Sequence, residues 1–376
     1  MDSLYKKWRP LQFSDMIGQD NVIRTLSRAT ETGRFNHAYL LGGQHGSGKT
    51  TAARILAATL VCPSKETGTG RPCGACKVCK SIHNGYCVDV YEMDGADKRK
   101  VEDARKIIET SQYPPNELSH KIYIIDECHK LTGEASSALL KTIEEPPQNV
   151  VFILCTTEVR TLMPTIKSRC QRLMFTKIST DLIAQRLSIV AEREGITMDP
   201  MAAFAIARNA RGSMRDAYGD LEQIATAESN NITVEAVSRN LGVPDQMITY
   251  RLVGMMASDD IPGVYRAIDQ LCQAGMDARV VLAEVSEVLR NVQMISGCGR
   301  DFELLNVMED EKVILQDLAK KIKMKTAIKI GMSVSAIEKD LSVNVNERYA
   351  LEAALIQSLL LIHNDATNSP PITTMS

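Results

Sequence analysis

Gly43-Gln44-His45-Gly46-Ser47-Gly48-Lys49-Thr50 is the stretch whose reading decides the fold of this chain. It fits G-x-x-x-x-G-K-[ST], and its flanks are those the motif requires. His37-Ala38-Tyr39-Leu40-Leu41 before it reads as a short buried strand. The run from Thr51 to Leu60 after it reads as an amphipathic helix. A strand, a glycine loop and a helix N-terminus together surround a phosphate chain with backbone N–H groups. In such a loop Gly43, His45, Gly46, Ser47, Gly48 and Thr51 would enclose the phosphates. Lys49 would neutralise the β/γ-phosphates, and the Thr50 hydroxyl would ligate Mg²⁺.

Outward from this loop, residues 1–178 alternate strand-like and helix-like runs, which predicts an α/β domain built on a parallel sheet. Strands are expected at 37–42, 87–93, 121–126, 150–155 and 171–175. Helices are expected around 19–32, 50–60, 98–112, 133–145 and 161–168. From Ser179 the pattern becomes helical only. Short helices at 180–194, 199–208, 213–228 and 233–241 make a small domain over 179–242. A Met- and Leu-rich helical domain over 243–366 follows, its last helix running from Val345 to Leu361. The polar, Pro-containing end, 367–376, is expected to be disordered.

Composition narrows the class. Ten cysteines, no run of 18 apolar residues and no apolar leader core point to a cytoplasmic protein that does not enter a membrane. A net charge of −2 confines any nucleic-acid contact to a local patch. Aromatic residues at 5% are too few for a base-stacking surface.

Further chemistry is spread along the chain. Lys121-Ile122-Tyr123-Ile124-Ile125-Asp126-Glu127 is an apolar strand ending in two carboxylates, at the end of a parallel strand where α/β sheets bind ligands. Asp126 would hold Mg²⁺ through water and Glu127 would polarise an attacking water. The Thr156-Thr157 pair ends the next strand, between these two sites, where a hydroxyl can sense a γ-phosphate. Arg169 closes a helix; it reads either as solvated charge or, in an oligomer, as a cation for a neighbour's phosphate. Arg215 sits in the first turn of a helix capped by Ser213, against the dipole preference. Either a ligand phosphate or an ion pair with Asp216 or Asp220 accounts for it.

Cys62, Cys73, Cys76 and Cys79 have the spacing of a closed structural Zn²⁺ site. An iron–sulfur cluster matches the ligand count but lacks a redox context, and His83 is near enough in sequence to compete as a ligand. The remaining cysteines lie mostly in apolar runs and read as buried small hydrophobes.

Together these residues resemble the clamp-loader branch of the AAA+ ATPases, and within it the bacterial gamma/tau family. The resemblance rests on Tyr5-Lys6-Lys7-Trp8-Arg9-Pro10, Ile17-Gly18-Gln19, His37-Ala38-Tyr39-Leu40 and the four-cysteine module. Asp126-Glu127-Cys128-His129, the run from Leu139 to Pro147, and Ser168-Arg169-Cys170 complete it. It is strong over residues 1–240 and architectural beyond. Cys128 departs from the usual aliphatic residue of its box.

The resemblance implies a P-loop ATPase domain over 1–178 with its zinc module at 62–79, a helical lid over 179–242 and an all-α collar over 243–366. Lys49 and Thr50 would be the Walker A pair, Asp126 and Glu127 the Walker B pair. Thr157 (or Thr156) would be sensor 1, Arg215 the sensor 2 arginine, and Arg169 a finger acting in trans. Tyr5, Trp8, Arg9, Pro10, Ile17 and Gly18 would wall the adenine. ATP, Mg²⁺ and structural Zn²⁺ are the implied cofactors.

The implied partners are delta- and delta-prime-like subunits and further copies of the chain in a pentamer, a sliding clamp, and primer–template DNA at replication forks in the nucleoid. Lys100, Arg105, Lys141 and Thr165 lie on segments the resemblance turns toward DNA; read alone, each is equally solvated surface. The sequence ends soon after the collar, so the helicase- and polymerase-binding domains of tau-type relatives are not expected in it. Two rivals remain: another AAA+ DNA-remodelling motor, at Holliday junctions or forks, and a non-hydrolysing clamp-loader scaffold.

Overall fold

The computed structural model describes residues 3–64, 72–97, 101–273, 275–298, 305, 307–340 and 347–367. These form two compact units, Met1–Glu194 with Ile206–Glu222, and Gly195–Ala205 with Gln223–Ser376. The division passes through helices Pro200–Asn209 and Met214–Ala227.

The first unit is built on five parallel strands: β1 (Ala38–Gly42), β2 (Val90–Asp94), β3 (Lys121–Asp126), β4 (Val150–Thr156) and β5 (Gln171–Met174). Their order is β2-β3-β4-β1-β5. Both faces are covered, so β1, β3 and β4 read as nearly continuous apolar runs. Successive residues nonetheless part to opposite faces. Tyr39, Leu41, Ile122, Ile124, Val151, Ile153 and Cys155 join one buried cluster with helices Asp20–Thr32 and Lys49–Val61. Leu40, Tyr123, Ile125, Phe152 and Leu154 join the other, with helices Val101–Ser111, Gly133–Glu144 and Pro164–Arg169. Tyr123 and Phe152 stack there with ring centroids 5.4 Å apart.

The helix after the phosphate loop differs from the amphipathic element its sequence suggests. Eleven of its thirteen residues are buried, Arg54 being one exception. Its outer side is covered by Lys77–Asn84, a helix the sequence pattern does not announce and which begins inside the four-cysteine module. Thr132 Oγ1 accepts from the Ala135 N–H at 3.2 Å and caps helix Gly133–Glu144.

Asp89 ties β2 to the loop before β3. Its buried carboxylate accepts from the N–H groups of Asn116 (2.7 Å), Glu117 (2.8 Å) and Leu118 (3.0 Å), and from Asn116 Nδ2 (3.0 Å). Burial pushes its pKa up, but these donors outweigh burial and leave it below the usual value. A depressed carboxylate stabilises the fold above its unfolded pKa of about 3.9, and that contribution disappears as pH falls through the folded value. Asp89→Asn, which replaces one acceptor oxygen by a donor, should cost about 1–3 kcal/mol at pH 7 in urea unfolding, and the difference should shrink toward pH 3. Equal stability of the two proteins at pH 7 would contradict this role.

The second unit is helical. Helix Ala278–Cys298 packs against Gln246–Ala257, Glu309–Lys321, Met324–Asp340 and Glu347–Thr367 around a core that includes Leu252, Val285, Leu289, Leu315, Ile330 and Leu355. The last helix continues past Leu361 to Thr367; residues 368–376, the rest of the expected tail, lie outside the described residues. Thr197–Met198 and Asn231–Ile232 pair as two-residue parallel strands, too short to leave a period in the sequence. Among the described residues no helix is long and apolar enough to cross a membrane.

Candidate active site

The loop after β1 turns on Gly46 (φ +69°) and Gly48 (φ +99°), which L side chains rarely match. Lys49, 5% exposed, folds back so that Nζ donates to the carbonyls of Gly43 (2.9 Å) and Gln44 (2.8 Å). Burial lowers its pKa against the opposing pull of Glu127, Cys155 and Asp126. Thr50 Oγ1 donates to Asp126 Oδ2 at 2.7 Å. The helix N-terminus and the end of β3 therefore meet at one point, and the two groups read as Mg²⁺ ligands stand side by side.

Glu127 follows in the left-handed region (φ 46°), strained backbone that directs this carboxylate away from the strand line. Its Oε2 accepts from Thr157 Oγ1 at 3.0 Å and from the Thr157 N–H at 3.3 Å. His129 is a member the sequence reasoning left without a role. Its Nδ1 lies 3.0 Å from Thr156 Oγ1 and 3.3 Å from Glu127 Oε2. Thr156, fully buried, thus orients His129, whereas Thr157 touches the carboxylate directly. The box residue between them, Cys128, is buried and its thiol is pushed far up by that burial, so it remains a neutral packing group.

A cleft of about 850 Å³, open to solvent, lies above these groups. Of the expected wall, it takes Tyr5, Pro10 and Ile17; of the loop, His45 to Thr51; beyond these, Asp126, Glu127 and Arg215. Arg186, Met214 and Tyr218 also line it and carried no local sequence signal. They arrive from helices Thr180–Arg193 and Met214–Ala227, brought by tertiary packing. The Met214 N–H donates to the Gly46 carbonyl at 3.1 Å. A Cβ on Gly46 would lie 1.8 Å from Ser213 Oγ. Gly46→Ala should therefore displace the 213–218 segment and cost about 1–3 kcal/mol, read as a lowered Tm; an unchanged Tm would show that the contact gives way freely.

Three expected wall residues sit elsewhere. Trp8 turns its indole Nε1 to Glu194 Oε1 (2.8 Å), with Arg193 and Arg186 within 5.5 and 5.9 Å of its ring, because a half-buried indole N–H requires an acceptor. Arg9 lies against Tyr5, 4.7 Å from the ring centroid, and does not line the cleft. Gly18 (φ +67°) stands behind the cleft residue Ile178, 3.2 Å from where its own Cβ would be. The neighbouring Gln19, 3% exposed, clasps the Thr176 backbone in both directions at 2.8 and 3.0 Å and so fixes this loop to the end of β5.

Arg215 sits 5.1 Å from the Tyr5 centroid. Ser213 Oγ accepts from the Asp216 N–H at 3.3 Å, as expected of a cap, and Asp220 is engaged by Asn209 Nδ2 at 2.9 Å. Arg169 does not line its own chain's cleft and pairs with Glu144, Nε to Oε1 2.8 Å. Arg105, Lys141 and Thr165 are exposed on three successively packed helices, 101–111, 133–144 and 164–169. Lys100 lies outside the described residues.

The sulfurs of Cys62, Cys73, Cys76 and Cys79 all lie within 4.8 Å of one another, with Cys73 and Cys79 at 3.9 Å; His83 is not in the group. Thiolates about 2.3 Å from a tetrahedral Zn²⁺ would be roughly 3.8 Å apart, so the donor set fits that ion. Backbone N–H groups of Cys76 and Ala75 hold the Cys73 thiol down to about 6, while burial pushes Cys79 up.

Three family models cover most of the chain. Residues 18–179 match DNA polymerase III, delta subunit; 182–234 match the DNA polymerase III clamp loader subunit, ATPase lid domain; 232–364 match DNA polymerase III subunits gamma and tau domain III. DNA polymerase III subunit gamma of Buchnera aphidicola subsp. Schizaphis graminum is 32% identical over 95% of this chain and 97% of its own length. The chain belongs to the DNA polymerase III gamma/tau family. DNA polymerase III subunit tau of Escherichia coli K12 is 34% identical over 95% of this chain, which spans 55% of that longer relative. The solved structure of the Thermotoga maritima RuvB Holliday junction branch migration motor overlaps at 21% identity and TM-score 0.49, over 72% of this chain and 86% of that one. As a gamma/tau member the chain is a DNA polymerase III clamp-loader subunit with the AAA+ fold, which implies nucleotide and Mg²⁺ as ligands.

Proposed function

We propose that this chain is an ATP-hydrolysing motor subunit that assembles with delta- and delta-prime-like subunits and further copies of itself. The assembly opens a sliding clamp and loads it on primer–template DNA as part of the DNA polymerase III holoenzyme, in the cytoplasm at replication forks. The observation that carries the reading is the linked set Thr50–Asp126–Glu127–Thr157 at the foot of a cleft that also contains Lys49. A scaffold that had lost hydrolysis has no need to keep these four groups linked beside a buried lysine.

In this reading Lys49 leaves its two loop carbonyls for the β/γ-phosphates. Thr50 and Asp126 hold Mg²⁺, which when bound neutralises charge on the phosphate oxygens. Glu127 orients the attacking water and accepts its proton, with Thr157 fixing the carboxylate and reporting the γ-phosphate to it. Arg215 reaches the phosphates from the lid, here taken as 179–242. Arg169 of the adjoining subunit completes the site, and the collar, 243–366, supplies the ring contacts. The four cysteines hold a structural Zn²⁺. Exposed Arg105, Lys141 and Thr165, together with Lys100, face the DNA.

Glu127→Gln separates binding from chemistry. It should retain ATP within about threefold in Kd and lose about 10²–10⁴ in turnover, measured by single-turnover hydrolysis in the assembled complex. An ATPase assay with and without primed DNA and clamp tests the whole reading: stimulation needing both supports clamp loading, stimulation by branched DNA alone supports another remodelling motor, and no hydrolysis supports a scaffold.

A further inference from the structure

The four-cysteine module and the nucleotide cleft meet at one short piece of chain, residues 9–11, through Pro10. Pro10 lines the cleft and also a small cavity whose walls include Arg9, Leu11, Gly74, Cys79 and Ile82. Gly74, between two of the cysteines, adopts φ +69°, and a methyl group there would touch Leu11 Cβ at 3.6 Å. Further along, Phe13 and Met16 belong to the buried cluster that contains Cys62, Cys79 and Ile82. Met16 lines the cleft too, and its Cε stands 3.2 Å from where a Cβ on Gly48 would be. In the other direction, Arg9 donates from Nη2 to the Tyr5 hydroxyl at 2.5 Å, and Tyr5 carries Arg215 against its ring. Among the described residues the buried Arg9 Nε has no hydrogen-bond partner, so on that side packing against its neighbours holds the segment.

We propose that the four-cysteine module is a positioning element for the nucleotide site. Drawn together on a metal, the four thiolates fix Gly74 and Cys79 beneath Leu11 and Pro10, and thereby fix Tyr5, Pro10 and Met16 as the wall on which the nucleotide packs. Loss of the metal then weakens nucleotide binding while the phosphate loop keeps its sequence and its lysine. This rests on reading the cleft as the nucleotide site. Helix Lys77–Asn84 also packs on the phosphate-loop helix, a second route that a change at Leu11 leaves intact.

The test uses the full chain, ADP with Mg²⁺ as ligand, and the chain's one tryptophan, Trp8, two residues before Pro10, as reporter. Stripping zinc with a chelator, followed by dialysis and return of Mg²⁺, should raise the Kd for ADP about tenfold, equivalent to about 1.4 kcal/mol, and shift Trp8 emission. Leu11→Asp, at a side chain 40% exposed, should raise the Kd by a similar factor while metal analysis still finds one zinc per chain. Leu11→Ala should give a smaller change in the same direction and serves if the aspartate variant loses zinc. ADP binding within twofold of wild type in both stripped and Leu11-substituted protein would overturn the proposal. So would loss of binding on stripping alone, which would assign the effect to helix Lys77–Asn84. A wild-type protein that fails to bind ADP would refute the nucleotide reading itself, a separate result.

Discussion

Lys49→Ala should abolish measurable nucleotide binding, raising the Kd for ATP and ADP by at least about 10²–10³ and taking hydrolysis to background. The size follows from burial. Lys49 is 5% exposed and its ammonium is satisfied by two carbonyls of its own loop, so it is a preorganised charge inside a water-poor cradle. A preorganised donor aimed at phosphate charge in such a site is worth about 3–4 kcal/mol. Alanine removes that term and also leaves the Gly43 and Gln44 carbonyls without the donor that closes the loop. Because the cleft is otherwise intact, the variant should fold: its Tm without nucleotide should stay within a few degrees of wild type, and only the nucleotide-dependent rise in Tm should vanish. Calorimetric titration with ADP measures the first quantity, steady-state phosphate release the second. Normal hydrolysis by the variant would remove Lys49 from the machinery.

The doubly covered parallel sheet was legible because burial on both faces produces contiguous apolar strands, and Ile122, Ile124 and Ile125 leave little alternative. The phosphate loop was legible for a different reason: its geometry demands glycines and a lysine at fixed spacing within eight residues. What could not be read arises from contacts between distant segments. Trp8 resembles a wall residue until Glu194, 186 residues away, offers an acceptor for its indole N–H. Arg186 and Tyr218 are ordinary helix residues until packing turns them toward the cleft. His129 shows its part only once β4 sets Thr156 beside it. Helix Lys77–Asn84 was hidden because its cysteines were read as ligands, yet Cys76 Sγ also accepts the Cys79 N–H at 3.3 Å, capping that helix.

Arg169→Ala should leave each subunit's nucleotide affinity within about twofold while lowering hydrolysis in the assembled complex by about 10³–10⁵, the range of an arginine supplied in trans. In its own chain Arg169 does not line the cleft and is half-exposed, paired with Glu144 and touching Thr165 O and Ser168 Oγ at 3.3 Å. Such a pair contributes about 0–1 kcal/mol, too little to hold the guanidinium against a phosphate offered by a neighbour. The pair therefore holds the guanidinium at the end of helix Pro164–Arg169 without locking it. Two consequences distinguish this role from a structural one. Glu144→Ala should lower Tm by less than about 2 °C and leave hydrolysis in the complex within a few-fold of wild type. Isolated Arg169→Ala protein, with no neighbour to serve, should show the same slow turnover as isolated wild type. Full activity of the assembled Arg169→Ala complex would defeat the trans assignment, and equal loss in the isolated subunit would relocate the effect to the chain's own fold.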